Sequence, residues 1–220
     1  MKNTLIFDLD GTLLNTLTDL SASVNYALKE NGFPTKDVDE VRKALGNGVR
    51  VLIEKSVPAN TEPDRTAKVL ETFKAHYLVH SLDSTLPYPG IMELLETCRL
   101  RGYRMAIVSN KLDPAVQELF ARFFSSYVDI AIGEQQPKVR RKPFPDMVDL
   151  ALTRLHAAKD ESIYIGDSEV DLQTARNAGI DCVSVAWGFR TRPFLESIGA
   201  DKIIDKPNEL LVWIDSKNQK

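Results

Sequence analysis

The sequence predicts an α/β protein: a parallel sheet covered by helices on both faces, interrupted after its first strand by a helical insert. Three observations carry this reading. From Pro87 onward, short apolar runs alternate with helical stretches of about 10–15 residues, the pattern of a parallel sheet with crossover helices. Residues 4–7 are a tight apolar run without alternation, as a strand buried on both faces requires. The block between residues 16 and 85 shows helical periodicity and no clear strand.

The first strand covers Thr4 to Phe7 and runs into Asp8, Leu9, Asp10, Gly11 and Thr12. Leu17, Leu20, Val24 and Leu28 then recur at helical spacing, and Asn31-Gly32 ends that helix. Further helices are expected near residues 36–45, 49–57 and 63–80. After Pro87 and Pro89, the stripe Ile91, Leu94, Leu95, Cys98 marks a helix stopped by Gly102. Arg104 to Val108 reads as a strand ending at Ser109-Asn110. Asp113-Pro114 has the form of a cap followed by a first-turn proline, with Val116, Leu119, Phe120 and Phe123 as the buried face. A strand at Asp129–Ile132 leads to a polar, partly basic loop over residues 133–142. Pro145 opens a helix with Met147, Leu150, Ala151 and Leu155 inward. Ser162 to Ile165 is a strand reaching Gly166-Asp167, and a helix follows to Gly179. A strand at Asp181–Ala186 and weaker elements near residues 202–205 and 208–214 complete the pattern. Ser216–Lys220 is expected to fray.

Composition bounds the function. The 220 residues are 43% hydrophobic and 27% charged, with 28 basic against 31 acidic side chains and a net charge of −3. No strong positive field exists to bind nucleic acid or a membrane surface. Asp8 and Asp10 interrupt the N-terminal apolar run, so it does not read as a signal peptide, and no stretch approaches the roughly 18 apolar residues of a spanning helix. Cys98 and Cys182 both lie in apolar segments and read as reduced core residues, in keeping with a cytoplasmic protein.

In an open parallel sheet, ligands bind beyond the carboxyl ends of the strands. This sequence brings Asp8 and Asp10, then Ser109 and Asn110, then Asp167 to that edge, with Lys142 in a loop on the same side. Each piece alone has a plainer explanation. The Asp-Leu-Asp-Gly run can be a turn, Lys142 can belong to a solvated basic patch, and Ser168 with Asp171 resembles a capping box. An EF-hand is excluded, because Gly11 is fourth and Asp19 twelfth in the loop where calcium binding needs Gly sixth and Glu twelfth. Together the pieces suit phosphoryl transfer. A carboxylate, Asp8, can attack phosphorus and divide one hydrolysis into two steps. Mg²⁺ on the hard oxygens of Asp8 and Asp167 would neutralise the approaching anions. Asp10 would protonate the leaving oxygen and later activate water. Lys142, Ser109 and Asn110 would hold the phosphoryl oxygens.

The segments "DLDGTLLNT", "VSN", "KPFP" and "GDSEVD" resemble, in order and spacing, the four motifs of the haloacid dehalogenase superfamily. The resemblance runs from Asp8 to Asp171. It implies a Rossmann-like parallel-sheet core, residues 1–15 and 86–220, and an α-helical cap domain over residues 16–85. It also implies that Asp8 is the nucleophile and Asp10 the acid/base. Asp10 would bind the metal through its backbone carbonyl, Asp167 would be the third protein ligand, and Asp171 would stand behind them. The dehalogenases lack the second aspartate of the first motif; Asp10 is present here, which points to phosphate chemistry. Asn15 stands where many relatives have Asp. Within the superfamily the chain looks most like the phosphoglycolate phosphatases: "ALGNGVRVLI" resembles their cap loop and "AWGFR" a later segment. Gly46 and Arg50 would then touch substrate, although Gly46 is equally a helix C-cap and Arg50 an exposed helical arginine. The expectation is an Mg²⁺-dependent phosphatase for a small phosphorylated metabolite, 2-phosphoglycolate before others, acting as a monomer or homodimer without nucleic acid or membrane. Another phosphate ester, pyrophosphate, a mutase, or an inactive binding module are the alternatives. His76 and His80, four residues apart on a helix, lack a third ligand and read as a helix face. Trp187 and Trp213 read as packing.

Overall fold

In the computed structural model, which describes residues 1–135 and 137–219, β1 is Thr4–Phe7 and every one of its residues is buried. Phe7 is level with Ile107 of β4 (Arg104–Leu112) on one side and with Ile165 of β6 (Ser162–Gly166) on the other. β5 (Ile130–Glu134) lies outside β4, while β7 (Asp181–Val185) and β8 (Ile203–Ile204) lie outside β6. The parallel sheet therefore has the order β5-β4-β1-β6-β7-β8. The chain steps away from β1 through β4 and β5, then returns to its other side at β6. The carboxyl ends of β1, β4 and β6 thus meet where the winding direction reverses, the usual crevice of an open α/β sheet.

Ile6, Ala106, Val108, Ile132 and Tyr164 form one buried cluster with Met147, Val148, Ala151 and Leu152 of α7 (Asp146–Leu155) and with Ala175 and Ala178 of α8 (Glu169–Ala178). Each large side chain buried this way contributes roughly 1.5–3 kcal/mol. α5 (Ile91–Leu100), α6 (Asp113–Leu119), α9 (Arg192–Ser197) and α10 (Glu209–Asn218) complete the helices of this part.

The chain divides into two compact units, Met1–Leu13 with Pro87–Lys220, and Leu14–Leu86. In the second, α1 (Leu17–Glu30), α2 (Val38–Ala44), α3 (Gly48–Ser56) and α4 (Pro63–His80) pack together. Leu20, Val24, Ala27 and Leu28 of α1 and Val69, Leu70, Phe73 and Tyr77 of α4 are buried at helical spacing. Leu17 is not fully buried; Asp19 is, and its carboxylate accepts Ser84 N, Thr85 N and Thr85 Oγ1 at 2.8–3.0 Å. A buried anion saturated by donors from the far end of the segment ties its two ends together. The short strands β2 (Leu14–Asn15) and β3 (Leu86–Pro87) pair there as well.

Several elements differ from the sequence reading. β4 runs to Leu112 rather than Val108, through a register shift that pairs Leu112 with Glu134, so Ser109 and Asn110 lie within the strand. Asp113 does not cap α6; its Oδ1 accepts Gly133 N of β5 at 2.8 Å instead. Phe124, not Phe123, is fully buried, because Phe120–Phe124 is a π turn whose Ser125 N reaches Phe120 O. That wider turn advances the inward position by one residue. α10 continues to Asn218, whose Oδ1 and Nδ2 bond the backbone of Lys2, so Ser216–Asn218 are held in the helix. Lys220, also expected to fray, lies outside the described residues. Cys98 and Cys182 are free thiols. Among the described residues no helix is long and apolar enough to cross a membrane.

Candidate active site

Asp8 follows β1 directly, and its N–H still bonds Ile165 O at 2.8 Å, so the sheet fixes the backbone at this point. Asp167 follows Gly166 at the end of the adjacent strand, and Asp171 sits in the first turn of α8. One carboxylate oxygen from each of Asp8, Asp167 and Asp171 lies within 4.8 Å of the others, and all three residues are buried.

Lys142 is only 2% exposed, and its Nζ stands 2.8 Å from Asp8 Oδ1, 2.7 Å from Asp171 Oδ1 and 3.1 Å from Tyr164 OH. Asn110 holds it there. The Asn110 Oδ1 accepts Lys142 N at 2.8 Å, and Nδ2 donates to Lys142 O at 3.1 Å. The Asn110 carboxamide is thus spent on the backbone of Lys142, which alters its expected part as a direct phosphoryl donor. Ser109 is 2% exposed, and its Oγ accepts Lys111 N at 3.2 Å, so its O–H is available to donate. Asp171 Oδ2 accepts Ser168 N at 3.1 Å and Ser168 Oγ at 2.6 Å, while Oδ1 takes Lys142 and Tyr164. The capping box and the contact with Lys142 therefore coexist in one carboxylate.

Further contacts support the cluster. Both oxygens of Asp10 are bound by Lys111 Nζ, at 3.0 and 3.2 Å. Asp167 accepts Phe189 N on Oδ2 at 2.6 Å and Thr12 Oγ1 on Oδ1 at 3.3 Å. Trp187, expected only to pack, donates Nε1–H to Thr12 O at 3.0 Å and so anchors the turn after Asp10. Arg190 forms a two-point pair with Glu169 at 2.8 and 3.0 Å. Gly11 has φ +88°, and a Cβ there would lie 2.5 Å from Asp167 Oδ2. A Cβ at Gly188 would collide with Gly11 O and Asp167. Gly46 (φ +110°) and Arg50 belong to the helical unit. Arg50 is exposed on α3 and lines a cavity of about 260 Å³ with Glu54, Thr61, Thr66 and Leu70.

The electrostatics follow from burial. Desolvation, then repulsion from Asp171, pushes the Asp8 carboxyl up to about 7 against the pull of Lys142. Desolvation, then Asp171 and Asp8, raises Asp167 well above the carboxylate range. Burial alone would lower the Lys142 ammonium, but Asp171 and Asp8 outweigh it and hold it above its ordinary value. Three buried carboxylates face one buried ammonium, an arrangement short of positive charge. Asp171 has four donors and no spare capacity. Asp8 Oδ2 has no donor among the described residues, and Asp167 Oδ1 has a single long one. That donor set of hard oxygens with unfilled valence fits Mg²⁺, with Asp8 and Asp167 as the side chains to hold it.

A sheet of this order with these carboxylates at its switch point is a hydrolase scaffold of one recognisable kind. The sequence profile of the haloacid dehalogenase-like hydrolases matches residues 5–185, and the chain belongs to that family. Among individual relatives, it is 30% identical over 213 residues to a phosphoglycolate phosphatase of Aquifex aeolicus, covering 96% of each chain. It is 34% identical over 195 residues to a phosphoglycolate phosphatase of Cereibacter sphaeroides, covering 87% of this chain and 88% of the other. The crystal structure of a candidate phosphoglycolate phosphatase from Lactobacillus delbrueckii subsp. bulgaricus superposes with a TM-score of 0.91 at 37% identity, over 96% of this chain and 97% of that one.

Proposed function

We propose that the protein is an Mg²⁺-dependent phosphomonoesterase that acts through a phosphorylated Asp8, with 2-phosphoglycolate as its substrate. The observation that carries this is the asymmetric Asp8 carboxylate. Lys142 at 2.8 Å and Leu9 N at 2.7 Å both bind Oδ1, leaving Oδ2 as the attacking atom. The names of the relatives support the phosphatase activity and the substrate.

Asp8 Oδ2 forms a bond to phosphorus as the ester oxygen leaves, and Lys142 offsets the charge on Asp8 throughout. Ser109 donates its O–H to a phosphoryl oxygen. Asp10 gives a proton to the leaving oxygen, then takes one from the water that hydrolyses phospho-Asp8, releasing phosphate and restoring Asp8. Asn110 and Asp171 keep Lys142 in place from backbone and side chain. Mg²⁺ bound by Asp8, Asp167 and the Asp10 carbonyl would supply Lewis-acid neutralisation of the phosphoryl charge. The helical unit would serve as the cap that selects substrate, with Gly46 and Arg50 on it. The free thiols of Cys98 and Cys182 favour a reducing cytoplasm.

The test is turnover of a panel of metabolite phosphates. Wild-type protein is expected to prefer 2-phosphoglycolate, to lose activity in EDTA and to regain it with Mg²⁺. Asp8→Asn is expected to lower kcat by at least about 10³-fold. Metal-independent hydrolysis by Asp8→Asn would overturn the mechanism.

A further inference from the structure

We propose that Tyr164 is a positioning residue: its hydroxyl accepts the third N–H of the Lys142 ammonium and so commits Lys142 to the nucleophile Asp8 instead of to the phosphoryl group. The inference rests on the phosphatase reading and deepens it.

Tyr164 lies on β6, level with Ile6 of β1 and Cys182 of β7, and it is fully buried. It belongs to the apolar cluster that contains Met147, Val148 and Ala175. A phenylalanine would fill that space without a polar atom, and a hydroxyl buried there is costly unless it is bonded. This one is bonded twice. It donates to Asp171 Oδ1 at 3.0 Å and accepts Lys142 Nζ at 3.1 Å. Gly166, on the same face of the strand, makes the room, because a Cβ there would collide with Asp171.

An ammonium carries three N–H groups, and three oxygens stand around this one. Asp8 Oδ1 is 2.8 Å away, Asp171 Oδ1 2.7 Å and Tyr164 OH 3.1 Å. No N–H is left over for a phosphoryl oxygen, which falls to Ser109. The two carboxylates supply charge, whereas the neutral hydroxyl supplies direction. Without it, Lys142 would hold one unspent N–H in a buried setting, and the ammonium would turn to find an acceptor. The acceptor that arrives in the site is the phosphoryl group. Lys142 would then bind the substrate and loosen its hold on Asp8 as Asp8 attacks. Tyr164 closes that route and keeps the ammonium on the Asp8 carboxylate before and after substrate arrives.

The experiment measures kcat, KM and inhibition by inorganic phosphate in wild type, Tyr164→Phe, Lys142→Met and the double variant, with 2-phosphoglycolate and p-nitrophenyl phosphate as substrates. Tyr164→Phe keeps the ring and is expected to lower kcat by about tenfold or more, as loss of a hydrogen bond to a charged group does. KM and the inhibition constant for phosphate are expected to stay unchanged or to fall. In the Lys142→Met background the same change is expected to cost less than about twofold, because a residue that acts through another then has nothing to act on. Should Lys142→Met fail to fold, Lys142→Gln carries the comparison. Should the background variant fall below detection, the constants of Tyr164→Phe decide alone. An unchanged kcat, a KM that rises as kcat falls, or equal losses in both backgrounds would overturn the inference. Wild-type protein inactive on both substrates would overturn the phosphatase reading itself, and the inference with it.

Discussion

Asn110 has the residue type and position of a substrate donor, yet its amide is bound at both ends to the backbone of Lys142. Removing it leaves a buried N–H and C=O without those partners, worth about 1–3 kcal/mol. Asn110→Ala is expected to lower thermal stability by that amount and to reduce kcat more than it raises KM, since Lys142 loses its fixed position. Denaturation and steady-state kinetics on one preparation check both. An unchanged kcat would show that Lys142 keeps its place without the amide. Much of the cluster is legible as sequence, because Asp8, Asp10 and Asp167 follow strands whose ends a parallel sheet must bring to one edge, with Lys142 in a loop read to the same side. Lys111, Tyr164 and Thr12 are not. Lys111 and Thr12 act through partners far along the chain, such as Thr12 with Asp167, 155 residues away, and Tyr164 meets Lys142 and Asp171 only through the fold; no local pattern encodes such pairings.

The elements show the same division between local and distant causes. α5 buries Ile91, Leu94, Leu95 and Cys98 as its spacing requires, because one face of one helix meets the core. β4 outruns its apolar segment because β5 offers a partner for Leu112 beyond the register shift. The π turn at Phe120–Phe124 moves the inward phenylalanine by one residue, which a 3.6-residue period cannot anticipate. The segment after β7, residues 186–190, is legible in the sequence only as a likeness, with no role attached. It carries Phe189 N to Asp167 and packs Gly188 against both Asp167 and Gly11. Gly188→Ala is expected to displace that loop, lowering Mg²⁺ affinity at least about tenfold in titration calorimetry, as disturbed support of a ligand does. Mg²⁺ binding at wild-type affinity would show that the loop absorbs the methyl without moving Asp167.

At the scale of the whole molecule, buried charge couples stability to pH and to metal. Asp8 is raised to about 7 and Asp167 is raised well above its ordinary value of 3.8. Without metal, the folded protein binds those protons more tightly than the unfolded chain. Their contribution to stability is full below an unfolded carboxylate pKa of about 4; that of Asp8 is lost as pH rises through about 7, and that of Asp167 is lost in the same direction. Mg²⁺ must displace the protons, so its stabilising effect grows over the same window, by about 1.4 kcal/mol per pH unit for each proton released. The rise in Tm on adding Mg²⁺ is expected to be larger at pH 8 than at pH 5.5, and Asp8→Asn is expected to flatten the dependence. A gain in Tm independent of pH would mean that the carboxylates are already ionised without metal.

The bond from the Trp187 indole to the carbonyl of Thr12 has an optical consequence. The sequence contains two tryptophans, the other being Trp213 on α10. With Trp213 replaced by Phe, the emission of the chain comes from an indole tethered to the turn that carries Asp10 and Gly11. The protein thus holds its own fluorophore on the turn that follows Asp10, and a stopped-flow trace needs no added dye to follow that turn.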